Sequence, residues 1–411
     1  MRVLFLMATR TYRASAFLEA ARRLGVEVVV GSDQPQVLSE FMPGSTLTLN
    51  FLDLEEATGA IVEFAKRYPL TAVVGVDDDT TVLAAMAAAA LSLPHNSVES
   101  VQAARNKHHL RQILAKAGVP SPRFQLLSID DDPMESARGV SFPCVVKPLF
   151  LSASRGVIRA NDVKQFVAAF HRLVAILRQP EVAASGGEAA RQILVEMFIP
   201  GQEVALEGLL TNGELRVLAI FDKPDPLDGP YFEETIYVTP SRLPVVVQEE
   251  IAACAGQTAR ALGLREGPVH AELRVNDEGP WIIEVAARSI GGLCSRTLRF
   301  GTGISLEELI LRHVLGMEIE TFARERRPAG VMMIPTPQAG ILHQLRGQKE
   351  AERVPGIEQV VISIPLGQAV VPLPEGTRYL GFIFARDETP ERVEGALREA
   401  HRRLEFIIEP R

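Results

Sequence analysis

Glu272 and Glu284 are the residues of this chain whose placement points most directly to chemistry. The run His270-Ala-Glu272-Leu-Arg274, a turn-like Asn276 to Pro280, and Trp281-Ile-Ile-Glu284-Val-Ala-Ala-Arg288 reads as two strands joined by a short connection. Strand side chains alternate with period two, so His270, Glu272 and Arg274 share one face. By the same rule Ile282, Glu284 and Ala286 share a face of the second strand, and Trp281, Ile283 and Val285 take the other. A turn centred on Glu278 sets Glu272 across from Glu284 and Ala286 across from His270. Opposed residues have Cβ atoms about 4.5–5.5 Å apart, and like charges so placed repel. Either one carboxylate keeps a proton or a cation lies between them. Oxygen ligands favour Mg²⁺ or Mn²⁺, and Mg²⁺ takes one or two carboxylates together with substrate phosphates. The other reading is a surface hairpin carrying two solvated glutamates.

Two upstream segments have types suited to a phosphate-bearing ligand. Lys147 ends the apolar run Phe142–Val146 and precedes a small-residue loop with Ser152, Ser154 and Gly156. Small residues let backbone N–H groups approach phosphate oxygens, and the ammonium adds a point charge. A lysine at a strand exit also serves solubility. Glu196 and Glu203 flank a chain reversal, where backbone groups at Phe198 and Ile199 can read a base edge and a carboxylate can hold ribose hydroxyls. Asp77, Asp78 and Asp79 follow an apolar run, at a position where parallel α/β sheets bind ligands. The plainer reading is that they cap the next helix, with Asp79 or Thr80 as N-cap.

The elements that must position these residues follow from pattern. The first hundred residues alternate strand and helix, with strands at Val3–Met7, Val26–Val30 and Ala72–Val76, which indicates a parallel α/β unit. No GxGxxG follows the first strand, so a dinucleotide site there has no support. A helix over 106–117 is opened by Lys107 and ended by Gly118-Val-Pro120. Residues 183–190 read as a loop, and the last eighty or so as a small α+β unit with a final amphipathic helix. The charged stretch 324–330 is a candidate linker.

Composition bounds the function. A chain of 411 residues with 47% hydrophobic side chains has room for two to four packed units. A net charge of −8 argues against broad nucleic-acid binding. Three cysteines without CxxC spacing argue against a disulfide framework and suit a reducing cytoplasm. The amino terminus turns polar too soon for a signal sequence, and no apolar run reaches the ~20 residues of a membrane span.

Lys107 opening a helix, Lys147 before its loop, Glu196 and Glu203, then Glu272, Glu284 and Arg288, in that order, resemble the ATP-grasp superfamily over residues 105–316. Glu284-Val-Ala-Ala-Arg288-Ser-Ile-Gly-Gly292 and the His270-x-Glu272 strand resemble its L-amino-acid ligase branch. The resemblance implies an α/β, grasp-type fold. Its parts would be a parallel α/β pre-ATP-grasp domain (1–104), a two-lobed ATP-grasp domain (105–322) with a mobile lid at about 146–200, and a small α+β carboxy-terminal domain (323–411). It implies an enzyme: an ADP-forming, carbon–nitrogen ligase joining a carboxylate, such as an L-amino acid, to an amine through an acyl phosphate, using ATP and Mg²⁺ or Mn²⁺. Its partners would be small molecules, with no nucleic acid or membrane, and a homodimer is open.

Site roles are implied in the same way. Lys107, Lys147, Ser152, Ser154 and Gly156 would contact phosphates. Glu196, Phe198 and Ile199 would serve adenine, and Glu203 ribose. Glu272 and Glu284 would hold the metal. Arg288 would stabilise the reacting acyl group, Lys223 would reach the γ-phosphate, and His270 would stand beside substrate or metal. Ala286 departs from the superfamily, which often has Asn there, and puts a second metal in doubt. The alternatives are an ATP-grasp carboxylase, a purine-pathway ligase, or a nucleotide-binding module without ligase activity. No Met-Lys-Met biotinylation motif is present.

Overall fold

The structure, a computed structural model, describes residues 1–9, 11–35 and 44–410. The chain opens with β1 (Arg2–Leu6), α1 (Ala14–Leu24), β2 (Glu27–Ser32), β3 (Thr46–Thr48), α2 (Leu54–Arg67), β4 (Ala72–Gly75) and α3 (Asp78–Ala90). Its four strands form a parallel sheet in the order β3-β2-β1-β4. The chain moves outward from β1 in one direction, then returns to add β4 on the other side. The crevice beyond the carboxyl ends of β1 and β4 is therefore a topological switch point, where open α/β sheets hold ligands. Helix α3 starts earlier than expected. Asp77, not Asp79 or Thr80, is the N-cap, with a capping box closed by Thr80. All three aspartates thus stand at a helix N-terminus, where the helix dipole favours negative charge.

Helices α4 (Val98–Arg105) and α5 (Lys107–Ala117) share Asn106 as C-cap and N-cap. Its side chain accepts from His108 N and His109 N, which fixes Lys107 as the first residue of α5. A lobe follows with β5 (Phe124–Ser128), α6 (Pro133–Ser136), β6 (Cys144–Pro148), β7 (Ile158–Ala160), α7 (Val163–Leu177), α8 (Pro180–Gly186) and β8 (Gln192–Met197). Its antiparallel sheet runs β5-β8-β6-β7, and α7 covers it with Phe166, Phe170 and Leu173. Because Phe124 pairs with Glu196, the lobe begins some twenty residues before the expected lid. The stretch expected as a loop holds α8 and a 3-10 turn, Gly187–Arg191, started by Pro180 at the first helical position.

The remaining elements are β9 (Gln202–Thr211), β10 (Glu214–Asp222), β11 (Ile236–Thr239), α9 (Val245–Leu262), β12 (Gly267–Asn276), β13 (Gly279–Ala286), β14 (Arg299–Phe300), β15 (Ile304–Ser305), α10 (Leu306–Val314), β16 (Ala329–Ile334), β17 (Gly340–Arg346), α11 (Gln348–Glu352), β18 (Ile357–Ile362), β19 (Ala369–Val370), β20 (Gly381–Arg386), α12 (Pro390–Arg403) and β21 (Glu405–Glu409). Eight of these strands form one sheet, β13-β12-β9-β10-β11-β16-β20-β18. Three strands of the carboxy-terminal segment therefore extend the central sheet, through the pairing of β11 with β16. Strands β19-β17-β21 form a separate small sheet.

Period two sorts β9 between two cores. Val204, Leu206 and Leu210 bury against α9, whereas Ala205 and Leu209 pack with Phe5, Val74 and Tyr237 beneath the amino-terminal sheet. The loops after β1 and β4 are thereby held above the same sheet face that carries Glu272. Among the described residues no helix is long and apolar enough to cross a membrane. All three cysteines are buried and free.

The hairpin departs from the simplest register. Asn276 pairs with Gly279, so the turn is the two residues Asp277 and Glu278. Leu273 faces Ile282, and an extra residue, Ile283, then restores the pairing of Glu272 with Glu284 and of His270 with Ala286. This β-bulge corrects the expected faces. Ile282 lies with Leu273 and Val285 in the apolar core, and Ile283 turns toward the cleft. The bulged carbonyl is not orphaned, because Arg111 Nη2 donates to Ile283 O at 2.6 Å.

Candidate active site

Three neighbouring strands make a floor of paired rows. His270 on β12 stands between Ala286 on β13 and Glu207 on β9; Glu272 stands between Glu284 and Ala205; Arg274 stands between Trp281 and Glu203. The repulsion expected between Glu272 and Glu284 is relieved by different protein cations on each carboxylate, Lys107 on Glu284 and Lys223 with His270 on Glu272. Lys107 Nζ lies 3.2 Å from Glu284 Oε1. Glu272 Oε1 lies 3.3 Å from Lys223 Nζ and 3.3 Å from His270 Nε2. Small Ala205, at the end of this row, and Ala286, in the neighbouring row, leave the carboxylates room to turn apart.

Lys223 gathers more acid than Glu272 alone. Its Nζ is 2.8 Å from Glu203 and 2.5 Å from Glu234, and Glu203, Glu234 and Glu272 bring carboxylate oxygens within 4.8 Å of one another. Burial opposes the lysine's charge, but Glu203, then Glu234 and Glu272, outweigh it and hold its pKa well above the ordinary value. Burial likewise opposes a charged His270. Glu207, 2.5 Å from Nδ1, and then Glu272 overcome it and raise the imidazole to about 9. Glu203, Glu234 and Glu272 are hard oxygen donors, two of them on strands and Glu234 on the connection before β11, and the set suits a divalent cation such as Mg²⁺.

On the lobe side, Glu196 is buried between two cations, Lys147 at 2.6 Å and Arg111 at 2.7 Å. Burial raises its pKa, but Arg111 and Lys147 more than reverse this and keep it ionised. Two cations on one carboxylate leave a net positive charge in a buried place, which an anion arriving in the cleft would offset.

A cleft between lobe and floor is lined by Lys107, Lys147, Glu203, Glu272 and Glu284, with Ser154, Phe198 and Ile199. A second chamber lies between the floor and the amino-terminal loops. Ser152, His270 and Arg288 line it, and Glu272, Glu284, Ser154 and Glu234 belong to both spaces. The structure thus brings most sequence-selected residues around two spaces that meet at the hairpin carboxylates. Three sit differently. Lys223 reaches both spaces only through its glutamates. The Gly156 N–H donates to Pro374 O at 2.9 Å, away from the cleft. The Glu196 side chain is committed to Lys147 and Arg111.

Asp78 belongs to the aspartate run expected at the ligand end of the sheet, whereas Glu207 and Arg111 escaped the sequence reading. Asp78 binds Arg288 Nη2 at 2.6 Å and, although burial pushes its pKa up, Arg288 brings it down to about 2. Glu207 Oε2 accepts from Ile290 N at 3.0 Å as well as holding His270, so it ties the floor to the loop that carries Arg288. Glu207 shares a face with Glu203 by period two, a signal that could have found it. Arg111 had no local signal.

With the geometry in hand, comparison with known proteins is decisive. Residues 18–95 match the ATP-grasp N-terminal domain, 140–297 the ATP-grasp domain, and 332–409 the L-amino acid ligase C-terminal domain 2. The chain belongs to the ATP-grasp carboxylate–amine ligase family. Its branch is close to the L-amino acid ligases. The crystal structure of the L-amino acid ligase from Bacillus licheniformis superposes on this ATP-grasp protein with a TM-score of 0.83 and 26% identity, covering 99% of this chain and 98% of that one. The alanine–anticapsin ligase of Bacillus subtilis (strain 168) is 26% identical over 270 residues, 62% of this chain. The match spans 56% of that relative's length. An uncharacterized protein, y4rH, of Sinorhizobium fredii is 23% identical over 98% of this chain and 82% of its own length.

Proposed function

We propose that this protein is an ATP-dependent ligase that activates the carboxylate of an amino acid as an acyl phosphate and joins it to an amine, releasing ADP and phosphate. The observation that carries the reading is the shared wall. Glu272 and Glu284 border both the cleft with the two lysines and the chamber with Arg288 and His270. A phosphoryl group held at that wall meets a carboxylate entering from the other side, which is the near-attack geometry that transfer requires.

Each residue's part follows from its surroundings. Lys107 and Lys147 oppose phosphate charge. Phe198 N already donates to Pro143 O, and Ile199 O accepts from Arg274. Phe198 O and Ile199 N remain, but they belong to one trans peptide and point opposite ways, so a single one of them faces the adenine edge. Glu203 faces the sugar. Glu272 and Glu284 would hold Mg²⁺, which supplies charge neutralisation for the phosphates when bound. Arg288, fixed by Asp78, faces the charge that develops on the acyl group, and the lobe excludes water when it closes.

The test is a phosphate-release screen over pairs of amino acids with ATP and Mg²⁺, with mass spectrometry of the product. ADP, phosphate and an amide are expected. AMP with pyrophosphate, or no release above background for any carboxylate–amine pair, would sink the proposal.

A further inference from the structure

The wall of the second chamber opposite the floor is built by the amino-terminal domain, from the loops after β1 and β4. These are the two loops at the sheet's switch point, brought together because β1 and β4 are neighbours that the chain reaches from opposite directions. They carry polar atoms that the protein itself does not satisfy. Among the described residues, the Tyr12 hydroxyl and Asp77 Oδ2 are both buried without a hydrogen-bond partner, and both residues line the chamber. Arg13, only 2% exposed, lines the same wall and leaves its Nε without an acceptor. A buried polar group without a partner forfeits its hydration with no return, so such a cluster is retained where a ligand completes it.

The charges of the wall sort the ligand. Asp78 is neutralised by Arg288 and Asp79 by Arg105. Among the described residues Asp77 has only neutral donors, Thr11 Oγ1 at 2.9 Å on Oδ1 and the Thr80 N–H of the capping box. Arg13 does not serve as its counter-ion at bonding distance, since the Arg13 guanidinium is spent on Val76 O and on Ser289. Tyr12 is held in place by an edge contact with Phe382, ring centroids 5.4 Å apart. One unpaired anionic oxygen with a hydroxyl on the same wall is a receptor for a small cation with several N–H donors. Burial raises the Asp77 carboxyl above its usual range, which is the cost that an arriving cation removes.

We propose that Asp77, with the Tyr12 hydroxyl, is the point at which the second chamber holds an ammonium group of an amino-acid substrate. The proposal rests on the ligase reading for the word substrate, but not for the binding itself. The ammonium belongs either to the amino acid whose carboxylate is activated or to the one whose amine attacks. Asp77 in this role selects amino acids over plain carboxylates of the same shape.

Asp77→Asn preserves shape and an acceptor for Thr11, and Tyr12→Phe removes one hydroxyl. Calorimetric titration of the intact protein with single α-amino acids, and with the matching carboxylic acids that lack the amine, reads the site without ATP. A charge-assisted hydrogen bond predicts a roughly tenfold to hundredfold loss of amino-acid affinity in Asp77→Asn, and a smaller loss in Tyr12→Phe. Binding of the deaminated acids should stay unchanged, as should the melting temperature. Steady-state KM values, each substrate varied with the other saturating, then assign the ammonium. A rise confined to the activated amino acid places it there, and a rise confined to the attacking amine places it on that partner. If both variants bind amino acids as the wild type does, or lose amino acid and deaminated acid equally, the proposal is overturned. A wild-type protein that binds amino acids through Asp77 yet releases no ADP would sink the ligase reading and leave this site standing.

Discussion

His270 and Glu207 face each other across β12 and β9, with Nδ1 and Oε1 2.5 Å apart and both side chains buried. The other oxygen of Glu207 accepts from Ile290 N at 3.0 Å, so one carboxylate fixes an imidazole on the floor and the start of the loop beyond Arg288. Glu207→Ala leaves both donors without a partner in a dry place. The expected loss is about 3–5 kcal/mol of folding stability, read from denaturant midpoints. Glu207→Gln keeps an acceptor and should lose distinctly less. Equal losses for the two variants would show that the bonds to His270 and Ile290 are not what Glu207 contributes.

Lys223 is the internal counter-ion of Glu203, Glu234 and Glu272. Replacing it with Met, of similar length and no charge, leaves three carboxylates within 4.8 Å and no lysine between them. The variant should melt lower by an amount equivalent to about 3–5 kcal/mol in chelator, and recover part of that with millimolar Mg²⁺ or Mn²⁺. The wild type should respond less. A melting temperature of Lys223→Met that ignores divalent cations would exclude the cluster as a metal-holding group.

Much of this floor was legible in the chain. Period-two alternation placed His270, Glu272 and Arg274 together, and the opposition of Glu272 to Glu284 is the observed register. The route to that register was not legible. A symmetric turn and a two-residue turn followed by a bulge give the same pairing at Glu272, and nothing local distinguishes them. Trp281, Ile282 and Ile283 are the side chains that change face, and all three are apolar. The counter-ions were hidden for a different reason. Lys107 reaches Glu284 across 177 positions and Arg111 reaches Glu196 across 85. Strand and helix periodicity carries no record of such contacts. Gly156 illustrates the reverse error: a small residue in a plausible loop whose N–H serves Pro374.

Arg111 lies outside both spaces, yet it determines how much charge Lys147 can offer. With Arg111 present, Glu196 is shared, and the trio carries one surplus positive charge. Arg111→Met would leave Lys147 and Glu196 as a closed, neutral pair, and would also strip the bulged Ile283 carbonyl of its donor. The affinity for ATP should fall by roughly tenfold, although no ligand contact is removed, because a buried pair has less to gain from phosphate. Binding of a fluorescent nucleotide measures this directly. Unchanged nucleotide affinity, with stability reduced, would confine Arg111 to a packing role.

The lobe that carries Lys147 is fastened to the carboxy-terminal segment by residues that line neither space. Arg172 on α7 forms a two-pronged pair with Glu375, at 2.6 and 2.9 Å, and also donates to the Tyr231 hydroxyl. Both partners are partly exposed, 41% and 33% by side chain, so the pair is worth only the 0.2–1 kcal/mol or so typical of surface ion pairs. That is too little to hold the fold, but enough to shift an open–closed balance of the lobe by up to about fivefold. Glu375→Ala should therefore raise the KM for ATP by no more than that factor and leave the melting temperature nearly unchanged. Arg172→Ala should match it, and the double variant should add little, since both remove one interaction. Additive effects in that cycle, or a large fall in stability, would show that the two residues act separately and that no such fastening exists.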